Sequence, residues 1–360
     1  MSRKILITGN MGYVGPAVVA HLREVWPDAY LAGLDTGYFA HCLTDAPGLP
    51  ERQLDVQYFR DVRDVTPEIF DGFDAVVQLA AISNDPMGKA YEDATMAINR
   101  SAAYRIAEMA KSRSVRSVVF ASSCSVYGFA EAGARTETDA LNPLTAYARS
   151  KIETETLLQE LADETFSVTC LRFPTACGMS DRLRLDLVLN DFVASAILHG
   201  RIKILSDGTP WRPLIDIRDM ALAIEWAIQR RSPVGDDFLA INVGRNECNY
   251  QVRELAEAVR DCLGDVAIDV NPNAAPDKRS YQVDFSRYRE LAPRHLPRCS
   301  LEQTIRDLAS GIRAAREANP AFAPAPHIRL GVLEQYRKTG RLSADLRWQT
   351  EGAPAASAVA

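Results

Sequence analysis

The chain has 360 residues, a formal net charge of −6 and an apolar fraction of 47%. This length fits one large or two ordinary domains with a substantial core. The acidic balance argues against binding nucleic acid or an anionic membrane through overall charge. No segment approaches the roughly 18 uninterrupted apolar residues of a membrane span, and the apolar run near the start is too short for a signal-peptide core. We therefore expect a cytoplasmic protein that binds neither nucleic acid nor membrane.

The first 170 residues alternate short apolar runs with helical patterns. The runs predicted as strands cover 4–8, 30–34, 57–61, 75–80, 118–122 and 168–172. Apolar positions three or four apart predict helices near 13–26, 88–112 and 145–162. Such alternation is typical of a parallel sheet with helices on both faces. We predict an α/β fold with a Rossmann-like, doubly wound parallel sheet.

The pattern loosens after Pro174. Helices are predicted at 186–199, 217–230, 250–263 and 300–316, with short strands at 202–205 and 238–243. We expect a Rossmann domain over 1–174, to which 215–245 returns. A smaller mixed α/β substrate-binding domain is expected mainly over 175–340. The Ala/Ser/Pro-rich stretch 351–360 predicts a disordered tail.

The cysteines and histidines give no sign of a metal site. The seven cysteines are scattered, odd in number and contain no C-x-x-C, which favours reduced thiols. The five histidines show no paired metal-ligand spacing. No metal is expected.

A glycine-rich stretch, TGNMGYVG, follows the first strand and opens the first helix. Gly9, Gly12 and Gly15 would permit a tight turn, close approach to a pyrophosphate, and packing of helix on strand. The helix N-terminus would supply N–H donors to the phosphates. Glycines also mark ordinary turns, but the strand before and the helix after match the context of a dinucleotide-binding loop.

The acidic residue expected after such a loop is Asp35, at the end of the second strand and twenty positions beyond Gly15. A carboxylate there accepts hydrogen bonds from the adenosine ribose and repels a 2′-phosphate. It favours NAD over NADP as the cofactor. The alternative is a cap of the Asp-Thr-Gly turn.

A second group of residues combines hydroxyls, a phenol and an ammonium. Ser123 and Ser125 follow an apolar run, and Tyr147 and Lys151 are four positions apart on a predicted helix. Positions i and i+4 share one helix face, so we expect the ammonium to lower the pKa of the tyrosine. Tyr-x-x-x-Lys alone is common on solvated helices. Beside a dinucleotide loop, it indicates proton exchange with a sugar hydroxyl while a hydride moves to or from nicotinamide.

Taken together, the patterns T-G-x-x-G-x-x-G, S-S-x-[ST]-V-Y-G and Y-x-x-x-K resemble the extended short-chain dehydrogenase/reductases of the nucleotide-sugar epimerase/dehydratase type. The resemblance runs from residue 4 to about residue 290. It implies NAD as cofactor, a nucleotide-diphosphate sugar as substrate, and a homodimer through the helices near 88–112 and 145–162.

The resemblance also implies site residues. Those expected at the cofactor are Gly9, Gly12, Tyr13, Val14, Gly15, Asp35, Asp61, Val62, Leu79, Ala80, Ala81, Asn99, Tyr147, Lys151 and Pro174. Those expected at the substrate are Ser83, Ser123, Thr175, Asn190, Asp191, Arg212 and Arg279. Asp191 stands where the family has a second asparagine, and Arg172-Phe173-Pro174-Thr175 departs from the family's Arg-Tyr-Phe-Asn.

The two arginines resemble the family's phosphate-binding pair, since their fork offers paired hydrogen bonds to phosphate oxygens. Surface or ion-pairing arginines are the alternative. Arg182 and Arg184 are further candidates for the substrate.

The residues after Ser123 distinguish the family's reactions. Dehydratases place Asp-Glu there, whereas this chain has Cys124-Ser125, close to the Ala-Thr of 4-epimerases. We expect Ser123 to be the catalytic serine, assisted by Ser125, and Cys124 to be a packing residue. Carbon-4 epimerisation through a keto-sugar is favoured. A dehydrogenase or ketoreductase acting at carbon 4 would use the same residues, and a non-catalytic nucleotide sensor is a third interpretation.

Overall fold

The computed structural model describes residues 2–44, 48–129, 133–230, 236–271, 274 and 280–349. The strands within these ranges are β1 (Lys4–Thr8), β2 (Tyr30–Asp35), β3 (Val56–Phe59), β4 (Ala75–Gln78), β5 (Ser117–Ser123), β6 (Ala134–Arg135), β7 (Ser167–Phe173), β8 (Thr175–Cys177), β9 (Arg201–Ile204), β10 (Trp211–Asp216), β11 (Phe238–Asn242), β12 (Asn249–Gln251), β13 (Ala267–Val270) and β14 (Gln282–Val283). The helices are α1 (Gly15–Val25), α2 (Asp85–Ala90), α3 (Glu92–Thr95), α4 (Ala103–Ser112), α5 (Ala146–Leu161), α6 (Val188–His199), α7 (Ile217–Gln229), α8 (Val252–Leu263), α9 (Ser286–Leu291), α10 (Leu301–Ala318) and α11 (Arg329–Lys338).

The largest sheet has seven strands in the order β11-β7-β5-β4-β1-β2-β3. Every neighbouring pair in it is parallel. Its central strands are buried on both faces, which explains why they read as continuous apolar runs. The predicted Rossmann-like α/β fold is confirmed.

Segment 215–245 lies beside the first domain. α7 packs on α1, and β11 pairs with β7 as an edge strand of the large sheet. Smaller sheets, β12-β10-β8, β13-β9 and β14-β6, lie outside it. β8 continues directly from β7 after Pro174, so the large sheet and the sheet β12-β10-β8 meet at the end of β7.

The chain over 88–112 is helical, as predicted, but it is not one regular α-helix. The chain there forms α2, α3, a π-helical stretch at Met96–Ala102, and α4. The π-helical stretch contains Asn99, a fully buried polar residue. Its side chain accepts from the Ile82 N–H at 2.8 Å and donates to the Ile82 carbonyl at 3.0 Å and the Ser150 hydroxyl at 3.1 Å. Such stretches often mark functional positions.

The C-terminal segment, residues 325–349, has more structure than its sequence predicted. It contains α11 and an antiparallel bridge between Leu342 and Trp348. The indole N–H of Trp348 donates to the Thr36 carbonyl at 2.7 Å, and the Tyr38 hydroxyl donates to the Leu346 carbonyl. The segment is therefore packed on the loop after β2.

Among the described residues, no helix is both long and apolar enough to cross a membrane. Within the same residues, no group of three or more histidine, cysteine or acidic side chains could hold a metal ion.

A buried ion pair ties α5 to the sheet. Glu155 on α5 accepts from Arg172 on β7, with Nη2 to Oε2 at 2.6 Å and Nε to Oε1 at 3.1 Å. The Ser122 hydroxyl on β5 donates to the same carboxylate. Both charged side chains are 6% exposed, so each charge depends on its partner.

We predict that Glu155→Ala lowers the free energy of unfolding by about 3–5 kcal/mol, because it leaves the Arg172 charge buried and unpaired. Urea unfolding measures this change. Glu160→Ala, on the exposed face of the same helix, is the matched control. It should change the free energy of unfolding by less than about 0.5 kcal/mol. Equal losses in both variants would contradict the prediction.

Candidate active site

A cavity of about 810 Å³ opens at the carboxyl ends of the parallel strands, where ligands bind in this type of sheet. Most of the predicted site residues line it. They are Gly9, Gly12, Tyr13, Val14, Gly15, Asp35, Asp61, Val62, Leu79, Ala80, Ala81, Ser83, Ser123, Ser125, Tyr147, Lys151, Pro174, Thr175, Asp191 and Arg212. The tertiary structure thus brings residues predicted for the cofactor, for catalysis and for the substrate into one cavity.

The glycine-rich loop passes very close to neighbouring backbone. Gly9 has φ +76°, and a Cβ there would lie 2.4 Å from the Ala80 nitrogen. A Cβ on Gly15 would lie 2.0 Å from the Asn10 carbonyl oxygen. The N-cap residue of α1, Val14, gives the helix no side-chain cap, so backbone N–H groups remain for a ligand. This cradle fits a diphosphate.

Asp35 lies where a ribose-binding carboxylate is expected. Its two oxygens accept from the N–H groups of Met11 at 3.1 Å and Gly37 at 2.8 Å. Burial raises the pKa of Asp35, and these two hydrogen bonds partly oppose the rise. Each carboxylate oxygen has further lone pairs, so the group can still accept from a ribose hydroxyl. The residues present therefore fit NAD.

Asp61 is held by a neighbouring arginine. Its carboxylate accepts from the backbone N–H of Arg63 at 2.8 Å and from the Arg63 Nη2 at 2.6 Å. Arg63 in turn donates to the Asp345 carbonyl at 2.6 Å. The adenine side of the expected cofactor site is thereby connected to the C-terminal segment.

Tyr147 begins the first turn of α5, which Thr145 caps by accepting from the Ala148 N–H at 3.1 Å. The Ser123 side chain, at the end of β5, lies close enough to the Tyr147 phenol to oppose the rise of its pKa. Lys151 shares its helix face, with Nζ 5.6 Å from the centre of the tyrosine ring. The three side chains that the sequence suggested for catalysis are together.

The expected lowering of the tyrosine pKa by Lys151 is wrong for this structure. Burial raises the pKa of Tyr147 to about 12, although Ser123 and Arg184 oppose the rise. Asp85 nearby raises it further. Lys151 donates to the Ala121 carbonyl at 2.7 Å instead of reaching the phenol oxygen. Burial also lowers the pKa of Lys151 to about 8. The free site thus disfavours both charged forms.

Ser125, two residues after Ser123, has a hydroxyl that can form a further hydrogen bond. Its hydroxyl oxygen is buried and has no partner among the described residues, while Ser125 lines the cavity. Cys124, by contrast, is fully buried and donates to the Arg172 carbonyl at 3.2 Å. Burial raises the pKa of its thiol well above the ordinary value. Cys124 is therefore a packing residue, as predicted, whereas the Ser125 hydroxyl can hydrogen-bond a ligand in the cavity.

Several further polar residues line the cavity, and of these the sequence had suggested only Arg184. Arg184 is paired with Asp186, Nε to Oδ1 at 2.9 Å, and donates to the Ser83 hydroxyl at 3.0 Å. Thr145 donates to Asp85 at 2.7 Å, and both line the cavity. The N-cap pattern before α5 could have indicated Thr145. No local signal indicated Asp85, because only the tertiary fold brings α2 to α5.

Other predicted residues lie elsewhere. Asn190 is fully buried and does not line the cavity; its amide donates to the Tyr13 hydroxyl and the Arg184 carbonyl, each at 2.9 Å. Asn99 likewise supports the Ile82 backbone. Arg182 has no exposed side-chain surface and pairs with Glu51 at 2.7 Å. Arg279 lies outside the described residues.

The chain is similar in sequence to a known protein family. The model of the NAD dependent epimerase/dehydratase family matches residues 5–244. A UDP-glucose 4-epimerase of Streptomyces lividans is 28% identical over 283 residues, which cover 73% of this chain and 82% of that protein.

Solved structures give the same fold. MoeE5, in complex with UDP-glucose and NAD, superposes with a TM-score of 0.73 at 23% identity, over 87% of this chain and 99% of its own. An NAD-dependent NDP-hexosamine 5,6-dehydratase, TunA, has a TM-score of 0.73 at 19% identity, over 87% of this chain and 98% of its own.

The match over more than half of the chain shows that the protein belongs to the NAD-dependent epimerase/dehydratase family. The family resemblance read from the motifs is confirmed, and NAD is the cofactor. The protein is an NAD-dependent enzyme of the epimerase type.

We predict that the cofactor-free protein keeps Tyr147 neutral even near the ordinary tyrosine pKa of about 10, because burial raises its pKa. Ultraviolet titration of phenolate, with the Tyr147→Phe variant subtracted, isolates this residue. Adding NAD⁺ places a cation nearby and should shift the titration to lower pH. A Tyr147 phenolate signal at neutral pH without cofactor would contradict the prediction.

Proposed function

We propose that the protein is an NAD-dependent C-4 epimerase of a nucleotide-diphosphate sugar. The observation that carries the proposal is the trio Ser123, Ser125 and Tyr147, which presents hydroxyls and no carboxylate to the cavity. Ser125 has an unused buried hydroxyl, which suits a sugar oxygen.

The chain's own residues can move the proton. Tyr147 would accept the proton of the sugar's C-4 hydroxyl, and Ser123, which lines the same cavity, would hydrogen-bond the same oxygen. Lys151, held by the Ala121 carbonyl, would stabilise the phenolate as it forms. Bound NAD would supply hydride acceptance and return. If the keto-sugar rotates within the cavity before the hydride returns, the configuration at C-4 would be inverted.

Dehydration is the reaction that the residue set disfavours. It needs an acid and a base after the catalytic serine, and positions 124 and 125 hold a buried thiol and a hydroxyl. Asp85 is close, but its carboxylate is bonded to Thr145. An epimerase therefore suits this cavity better than a 4,6-dehydratase.

A uridine diphosphate is the proposed nucleotide, because similar proteins are named for UDP-sugars. Arg212 lines the cavity and can supply a guanidinium to a diphosphate. Asp191, in the first turn of α6, lines the same region, and burial raises the pKa of its carboxyl. A raised pKa reduces the repulsion that a carboxylate would exert on that diphosphate.

We expect purified protein to interconvert the C-4 epimers of a UDP-hexose or UDP-pentose without added NAD. Tyr147→Phe should lower kcat by about 10²- to 10⁴-fold, since it removes the proton acceptor. Product ratios by NMR measure the rate. Tyr104→Phe is the matched control, because this α4 tyrosine lies outside the cavity lining and its hydroxyl donates to Glu108 at 3.5 Å.

Cofactor content separates the alternatives. Denaturing release and mass spectrometry should find near-stoichiometric NAD(H) in both variants, because an epimerase keeps its hydride between half-reactions. Protein that is empty, and turns over UDP-sugars only with added NAD⁺ or NADH, would instead be a C-4 dehydrogenase or ketoreductase. Binding of nucleotide with no turnover of any sugar would support the sensor. A homodimer through α4 and α5 and a cytoplasmic location stay predictions.

A further inference from the structure

A buried arginine at the start of α11 borders the cavity. Arg329 is 1% exposed and, with Ile328 and Leu330, forms part of the cavity wall. It lies beyond residues 5–244, the range that the family model matches. It is therefore a contribution of the C-terminal segment to the site.

The guanidinium of Arg329 is incompletely bonded. Its Nη2 donates to the Arg182 carbonyl at 2.7 Å, and its Cζ lies 4.7 Å from the centre of the Phe39 ring. Its Nη1 is buried and has no hydrogen-bond partner among the described residues. A buried, charged N–H without an acceptor is costly unless a ligand supplies one.

The surrounding charges leave Arg329 uncompensated. Arg182 is paired with Glu51 at 2.7 Å, and Arg184 with Asp186 at 2.9 Å. Within the described residues Arg329 forms no ion pair, although Cys42 and Asp186 favour its charged form. Burial lowers its pKa to about 10, so it still carries its charge at neutral pH.

The remaining titratable neighbours supply no negative charge. Burial lowers the pKa of His41, and it lowers that of His327 to about 4, so both rings are neutral at neutral pH. Burial raises the pKa of the Cys42 thiol, which keeps it protonated. Asp35 and Asp181 also interact with Arg182, so within the described part of the chain the charge without a close acidic partner is that of Arg329 itself.

The position favours the cofactor as the source of the missing anion. Phe39, which the guanidinium covers, lies in the loop after Asp35, on the ribose side of the cavity. Ile328 provides no side-chain cap for α11, so the first N–H groups of this ten-residue helix add a positive dipole end there. NAD brings a diphosphate into this cavity.

We propose that Arg329 binds the diphosphate of NAD and makes the C-terminal segment part of the cofactor site. A cation in the wall attracts the diphosphate through low-dielectric protein, and Nη1 gains an acceptor when the ligand enters. The segment is fixed at its far end by Trp348 and by the contact of Arg63 with Asp345. It thereby retains NAD, whichever sugar carbon reacts.

The test compares ADP-ribose, which carries the diphosphate, with adenosine, which does not. Calorimetric titration of protein from which bound NAD(H) has been removed should show that Arg329→Gln weakens the binding of ADP-ribose by about 10- to 100-fold and leaves that of adenosine unchanged. Arg329→Lys, which keeps the charge, should retain most of the affinity. Lys338→Gln removes an exposed charge from the same helix and should change neither ligand. Added salt should reduce the difference in ADP-ribose affinity between the wild type and Arg329→Gln.

If Arg329→Gln weakened the binding of ADP-ribose and of adenosine equally, the proposal would be overturned, because Arg329 would then have a purely structural role. Weaker binding of UDP with unchanged ADP-ribose would also overturn it, since the charge would then serve the substrate. Hydrogen–deuterium exchange on wild-type protein tests the proposal even if Arg329→Gln does not fold. ADP-ribose should slow exchange at the start of α11 more than adenosine does, and equal protection would contradict the proposal.

Discussion

The ion pair between Glu155 and Arg172 fixes the helix that carries Tyr147 and Lys151, the proposed catalytic residues. Tyr147, Lys151 and Glu155 are spaced four apart on α5, so they lie along one helix face. Glu155 is bonded to Arg172 on β7 and to Ser122 on β5. This locks the rotation of α5 against the sheet. The phenol of Tyr147 consequently meets Ser123 at the end of β5, where the cavity opens.

Burial dominates the electrostatics of that site. It raises the pKa of Tyr147, lowers that of Lys151 and raises that of Asp35. Each shift disfavours a charge that catalysis or cofactor binding needs. A cationic nicotinamide and an anionic diphosphate would reverse part of these costs, because opposite charges within a few ångströms favour the charged forms. The free protein is thus arranged for a charged ligand.

The C-terminal segment extends this arrangement beyond the family's core. MoeE5 is covered over 99% of its length by 87% of this chain, so this chain has residues without a counterpart there. Residues 325–349 pack on the loop after β2 through Tyr38 and Trp348. They bring a buried arginine to the cofactor side of the cavity. A long-lived cofactor is what an epimerase needs between its two hydride transfers.

The sequence by itself determined the fold class, the dinucleotide loop, Asp35, and the Ser123, Tyr147 and Lys151 group. These depend on short-range patterns: strand–glycine–helix order, i,i+4 spacing and strand ends that share one edge of a parallel sheet. Tertiary structure alone decided what depends on burial and distant contacts. It introduced a π-helical stretch around Asn99 within the helical region over 88–112, buried the side chain of Asn190, and raised the pKa of Tyr147. It also brought α11 to the cavity, because no local pattern shows where a polar helix near the end of a chain will pack.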